Sequence, residues 1–174
     1  MRLSSLLIIL ALLFPLTACK RKDNEDQKQT KAEALYLASE ARVNFTLRDY
    51  KEAEKGYLRA TELDPEEAEY WFHLGYTRLK LNDKSGAIAA YKRELAIREK
   101  AAEKAPDDLN AVLEPAAVMV RLGRTDDARK LVEKIMKQFA NNPAVIQMRG
   151  QNLVDSMLQN PSVKDASVQS VGVR

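Results

Sequence analysis

Three kinds of side chain in this sequence are equipped for chemistry: one thiol, one imidazole and several runs of carboxylates. Cys19 is the single cysteine and His73 the single histidine. A lone thiol excludes a disulfide framework, a multi-thiolate zinc site and a dithiol redox pair, and a lone imidazole excludes a multi-histidine metal centre. His73 lies between Phe72 and Leu74 on an amphipathic stretch. It would carry protons only with a partner group and a substrate cleft, and its plainer reading is a surface or groove side chain. Asp64, Glu66, Glu67, Asp126 and Asp127 stand at expected helix starts. There carboxylates answer free backbone N–H groups and the helix dipole. No Gly-rich phosphate loop, nucleophile elbow or metal-ligand spacing is present. The expectation is no catalytic residue, no metal and no cofactor.

Cys19 has a different context. Arg2 gives a positive start, residues 3–18 (LSSLLIILALLFPLTA) form an apolar run, and Lys20-Arg21-Lys22 follow the cysteine. A membrane-spanning helix needs about 20 apolar residues to cross roughly 30 Å of hydrocarbon, so this shorter, proline-broken run reads as a secretory leader. Leu16-Thr17-Ala18-Cys19 resembles the bacterial lipobox. That resemblance implies cleavage after Ala18 and acylation of Cys19, with a bacterial cell-envelope location. Two or three acyl chains anchor stably where one does not. Lys20 stands in the position where Asp would retain such a lipoprotein at the inner membrane, which implies the periplasmic leaflet of the outer membrane in a Gram-negative source. Residues 20–31 (KRKDNEDQKQTK) contain no apolar side chain and predict a flexible tether over residues 19–31.

The middle of the chain repeats itself. Ala53 and Ala87 are 34 residues apart, and Ala87 and Ala128 are 41 apart, which is 34 plus 7. Leu37, Trp71 and Val112 keep those spacings, as do Ala41, Gly75 and Ala116 at a place that needs a small side chain. The run Tyr70-Trp71-x-x-Leu74-Gly75, then Leu81, Ala87 and Tyr91, with Pro65 closing the preceding unit, resembles the tetratricopeptide repeat. The resemblance implies an all-α, right-handed superhelical solenoid of three helix pairs. Each pair would bury its outer face by stacking on the next. The repeats are expected at about 34–67, 68–108 and 109–142 within a domain over 32–159.

The 3.6-residue period places helices near 31–47, 50–62, 66–81, 84–102, 107–121, 125–139 and 143–158. The last would be a C-terminal capping helix. Residues 160–174 predict a disordered tail, the alternative being that its spaced valines dock as an extended peptide. Three features depart from the repeat: Glu94 stands where a small residue is expected, seven extra residues precede Pro106, and Pro115 falls inside the fifth helix. The insertion predicts one extra turn and a return loop, and Pro115 a kink.

In this repeat family the first helix of each pair lines the concave face. The resemblance places Ala38, Arg42 and Phe45, then Phe72, His73, Tyr76 and Lys80, then Leu113, Ala117 and Arg121 on it. Aromatic and arginine anchors are what peptide recognition uses. The alternative is that Phe45, Phe72 and Tyr76 only complete packing between repeats. Some relatives clamp a peptide's terminal carboxylate with Lys and Asn; here Ala38, Arg42, His73, Asn110 and Glu114 hold those positions, so the pattern is absent. A net charge of +3, from 28 basic and 25 acidic residues, is too small for bulk attraction to nucleic acid. The partner expected is an envelope protein or peptide, with the membrane engaged through the lipid. A homo-oligomer whose groove is filled by a neighbour's tail is the second possibility, and an enzyme acting on envelope polymer the third.

Overall fold

The computed structural model describes residues 14–148, 150 and 152–169. Among them, six helices form three consecutive pairs: α1 (Phe14–Thr46) with α2 (Tyr50–Leu63), α3 (Ala68–Lys80) with α4 (Lys84–Lys104), and α5 (Leu109–Arg121) with α6 (Thr125–Gln138). Three short helices follow, α7 (Pro143–Met148), α8 (Leu153–Gln159) and α9 (Pro161–Asp165). Each pair also packs on the next, α2 against α3 and α4 against α5, giving the all-α stack that the repeat period predicts.

The period is written into the turns as well as the core. Arg48, Asn82 and Gly123 occupy the left-handed region, with φ of 63°, 62° and 76°. Their spacings are 82 − 48 = 34 and 123 − 82 = 41, the same as those of the buried alanines. At each turn the next N–H reaches back to the preceding helix: Asp49 N donates to Asn44 O, Asp83 N to Arg78 O and Arg124 N to Met119 O. This satisfies the terminal carbonyls and reverses the chain in one residue. Asp49 and Asp83 then cap the second helices by accepting from Glu52 N and Gly86 N.

Ala41, Ala53, Ala87, Ala116 and Ala128 are fully buried, and Gly75 sits among them. Small side chains let the paired helices approach closely. A Cβ on Gly75 would lie 2.5 Å from Tyr91 Cε1, so no larger residue fits without displacing that ring. Tyr57, Tyr91 and Val132 fill the equivalent position of each second helix.

The insertion is absorbed differently from the expectation. Helix α4 has 21 residues against 14 in α2 and 14 in α6, so all seven extra residues become helix, about two turns. The linkers 64–67 and 105–108 are both four residues long, with Pro65 and Pro106 in the same place, and no return loop forms. Seven residues are close to two whole turns, so the added segment keeps the buried face in register. Its first residue, Arg98, contacts Glu69 of α3 at 3.3 Å and Glu114 of α5 at 2.6 Å, tying neighbouring pairs together. Helix α5 runs unbroken through the buried Pro115.

Both ends of the domain differ from the sequence reading. Residues 20–31, expected as a coil tether, belong to the continuous 33-residue helix α1. Lys, Arg, Glu and Gln are good helix formers, and Arg21/Glu25 and Lys22/Asp26 stand at i, i+4 spacing. Extending a helix already nucleated by its packed half needs no further burial. Cys19 falls on this helix, of which only the backbone is described there; residues 1–13 of the leader expected over 1–18 lie outside the described residues. At the other end the single capping helix is replaced by α7 and α8, separated around Gly150 at φ 88°. Val154 of α8, with Leu153, Met157 and Leu158, closes the core of the third pair. Residues 160–169 are ordered where disorder was expected. Asn160 caps α9 by accepting from Ser162 N, and Ala166, Ser167 and Val168 are buried. The valine docks after a short helix and turn instead of as an extended strand. Among the described residues no helix is long and apolar enough to cross a membrane.

Candidate functional site

The first helices of the three pairs bring most of the expected residues onto one face. Phe45 of α1 meets Tyr50 at 5.2 Å and Tyr76 of α3 at 5.0 Å between ring centroids. Phe72 lies 6.1 Å from Tyr76 and 6.4 Å from Tyr91, so a row of five rings crosses from the first pair to the second. Two cations complete it. Lys80 Nζ stands 4.9 Å from the Tyr76 ring, and the Arg121 guanidinium 4.7 Å from Phe72 and 5.7 Å from Tyr91. Such stacking attracts a cation to the ring face and fixes its position.

An open hollow lies beside this row, and the row's far end is occupied. Toward the N-terminal end, a hollow of about 130 Å³ is lined by Leu35, Ala38, Ser39, Arg42, Tyr57, Glu69, Tyr70 and His73. Arg42 is exposed, and His73 stacks on Tyr57 at 5.1 Å. His73 Nε2 lies 3.3 Å from Glu69 Oε1. That hydrogen bond holds the Glu69 carboxyl below its ordinary range against the opposing effect of partial burial, helped by the nearby His73, Arg98 and Arg121 side chains. The Tyr57 hydroxyl is buried, makes no hydrogen bond among the described residues, and its pKa is pushed up to about 12, chiefly by burial.

Toward the C-terminal end the chain's own tail fills the face. Lys80 Nζ donates to both carboxylate oxygens of Asp165 at 2.7 Å, and the Tyr76 hydroxyl donates to the same carboxylate. Tyr91 Oη donates to Ala166 O at 2.8 Å, and Val168 N to Arg121 O at 2.9 Å. The Val168 side chain enters the core cluster that contains Leu79, Tyr91, Val118 and Val120. Burial, then Asp165, raises the Tyr76 hydroxyl far above its usual range, and burial does the same for Tyr91.

Arg121 has a second task that its position in the repeat does not disclose. Its Nη2 lies 2.5 Å from Oε1 of the fully buried Glu94, which also accepts from Arg98 Nε at 3.0 Å. Glu94, the odd residue at a small-residue position, is therefore the anchor of a buried charge cluster joining α4 to α5. Leu113 packs against the core of the second and third pairs and is only partly buried. Tyr91, Glu94 and Asp165 were not anticipated at this face. Tyr91 reads as core because it repeats Tyr57 and Val132, and Asp165 lies in a polar stretch with no periodicity. Among the described residues no group of three His, Cys, Asp or Glu side chains is placed to hold a metal.

Family comparisons identify the repeat. A tetratricopeptide-repeat model matches residues 38–106, and a second model of the same repeat matches residues 85–151. Residues 38–151 are tetratricopeptide repeats. The repeats are similar to two crystal structures of the Yersinia enterocolitica type III secretion translocator chaperone SycD. One, an alternative dimer, is 20% identical over 76% of this chain and 92% of that chain, with a TM-score of 0.45. The other, in complex with a peptide of the translocator YopD, is 20% identical over 74% and 90%, with a TM-score of 0.41. No curated protein matches the chain.

Proposed function

We propose that this tetratricopeptide-repeat protein is a non-enzymatic adaptor, tethered to a bacterial envelope membrane through acylated Cys19, which binds another envelope protein through the α1–α3–α5 face. The observation that carries the binding role is the row of five rings with Lys80 and Arg121 along it, already seating a peptide segment by side-chain and main-chain hydrogen bonds. Repeat proteins present such extended surfaces for partners. The tether rests on residues 3–19, and the outer-membrane leaflet on Lys20. A role in assembling a secretion, pilus or outer-membrane complex fits an adaptor held at that surface.

The test is crosslinking and pull-down from native membranes with the wild type and an Arg42→Glu/His73→Ala variant, which changes the open hollow without touching the buried Glu94 cluster. Capture of a defined partner by the wild type and its loss in the variant is the expected result. Identical capture by both would overturn the open hollow as the binding site, and capture of the same chain alone would favour a homo-oligomer. Mass spectrometry of the membrane-extracted protein should show an acylated Cys19 at the start of a 156-residue chain (174 − 18). An unmodified thiol there would remove the tether.

A further inference from the structure

The tail reports what the occupied half of the groove is built to hold. Four recognition elements converge on four consecutive residues. Lys80 and Tyr76 take a carboxylate, and Tyr91 donates to the next residue's carbonyl. The Arg121 carbonyl accepts the N–H of the fourth residue, and the core of the third pair takes that residue's β-branched side chain. The residue after the acid is a buried alanine, so the seat beside Tyr91 admits only a small side chain.

Most of these partners belong to the face assigned to binding, and they contact the tail through groups any peptide can offer. Two of the contacts are to main chain and are indifferent to sequence; the carboxylate, the buried Ser167 hydroxyl that donates to the Arg121 carbonyl at 3.3 Å, and the β-branched side chain supply selectivity. The tail is also lightly built. Helix α9 is five residues long, with Val163 packed part-buried against the core and none of its residues fully buried, and Ala166 to Val168 are sunk into the protein. An ion pair with Asp165 half exposed holds weakly, so displacing the tail is inexpensive compared with unfolding a repeat.

We infer that the groove formed by Tyr76, Lys80, Tyr91 and Arg121 is a receptor for a partner peptide of the form acidic, small, small hydroxyl-bearing, β-branched, and that Asp165-Ala166-Ser167-Val168 is its resident competitor. This rests on the adaptor reading and adds to it the partner's chemistry and a built-in threshold. A partner binds when its affinity and local concentration exceed those of the tail, whose effective concentration is set by the short connection through α8.

The experiment measures fluorescence anisotropy of a labelled peptide carrying residues 160–169, added to the full chain. The receptors are wild type, Asp165→Lys, and Asp165→Lys/Lys80→Glu. The single variant weakens its own tail while leaving the groove intact, so it should bind the probe about tenfold tighter than the wild type. The double variant re-forms the ion pair with reversed charges and sets the carboxylate introduced at position 80 against the acidic residue of the probe, so binding should fall to the wild-type level or below. A probe with Val168→Asp should not bind any of them. Circular dichroism must show equal helix content in all three proteins. Equal probe binding by wild type and Asp165→Lys, or binding by neither, would overturn the competitor. A wild-type dimer by light scattering that dissociates in Asp165→Lys would also overturn it, because the tail would then belong to a neighbouring copy. Partner capture sensitive to Arg42 and His73, without any probe binding, would sink this inference and leave the adaptor standing. Probe binding as expected with no captured partner would do the reverse.

Discussion

Lys80 Nζ lies 2.7 Å from each carboxylate oxygen of Asp165, which is 85 residues further along the chain. Lys80 ends the first helix of the second pair, whereas Asp165 ends the last short helix, so this contact folds the C-terminus back across two repeats. The Tyr76 hydroxyl approaches the same carboxylate.

The first prediction concerns that pair. Lys80→Glu and Asp165→Lys should each destabilise the protein slightly, and the double exchange should recover most of the loss. The coupling should be about 0.5–1 kcal/mol, reduced because Asp165 is half exposed, and should fade in salt. A double-mutant cycle on urea midpoints measures it; additive single effects would show that the pair contributes nothing.

Gly75→Ala tests the approach of α3 to α4. Alanine gains about 1 kcal/mol of helix propensity, but its Cβ would stand 2.5 Å from Tyr91 Cε1 and force the buried ring aside. Overpacking costs about 1–3 kcal/mol, so the net change should be destabilising by roughly 0–2 kcal/mol. Thermal melting would show it, and adding Tyr91→Leu should relieve much of the loss.

Glu94→Ala should be the most damaging single change in the set. It strands Arg121 beside a buried space, while Arg98 keeps Glu69 and Glu114, and breaking a buried ion pair from one side costs about 3–5 kcal/mol. Replacing Glu94, Arg98 and Arg121 together with apolar residues should recover a large part of this, since the desolvation cost disappears with the charges. Denaturant unfolding of the two variants makes the comparison.

Tyr57 gives a pH dependence. Its pKa is raised in the folded state to about 12. A raised folded pKa contributes stability that is complete below the ordinary tyrosine value near 10 and is lost as pH rises toward 12. Tyr57→Phe should therefore match the wild type near pH 8 and exceed it increasingly from pH 10 upward. Urea melts at pH 8 and pH 11 measure the difference; a gap that stayed constant with pH would contradict the assignment.

Local rules made much of the fold legible. The spacings of 34 and 41 among Ala53, Ala87 and Ala128 follow from helices that meet at small residues, and such contacts recur wherever the unit recurs. Linker prolines and capping aspartates act within a few residues, so the three pairs could be read from the chain alone, whereas the shared face of Phe45, Phe72 and Tyr76 followed from the resemblance to the repeat family. The same locality misjudged residues 20–31, because low apolarity was read as coil although a helix nucleated downstream extends through favourable charged residues.

What only the tertiary structure decided is which partners meet across repeats. Glu94 breaks the small-residue pattern, and only the convergence of Arg98 and Arg121 on its carboxylate explains how a charge is accommodated there. Asp165 and Val168 lie in a segment without period or breaker pattern, and their seats are made by Tyr76, Lys80, Tyr91 and Arg121 from three different helices. The sequence by itself determined the repeating unit, since helix period, turn geometry and small-residue contacts are short-range. The occupancy of the groove was settled by long-range contacts, because burying one valine and pairing one carboxylate depend on surfaces that exist only after the repeats have stacked.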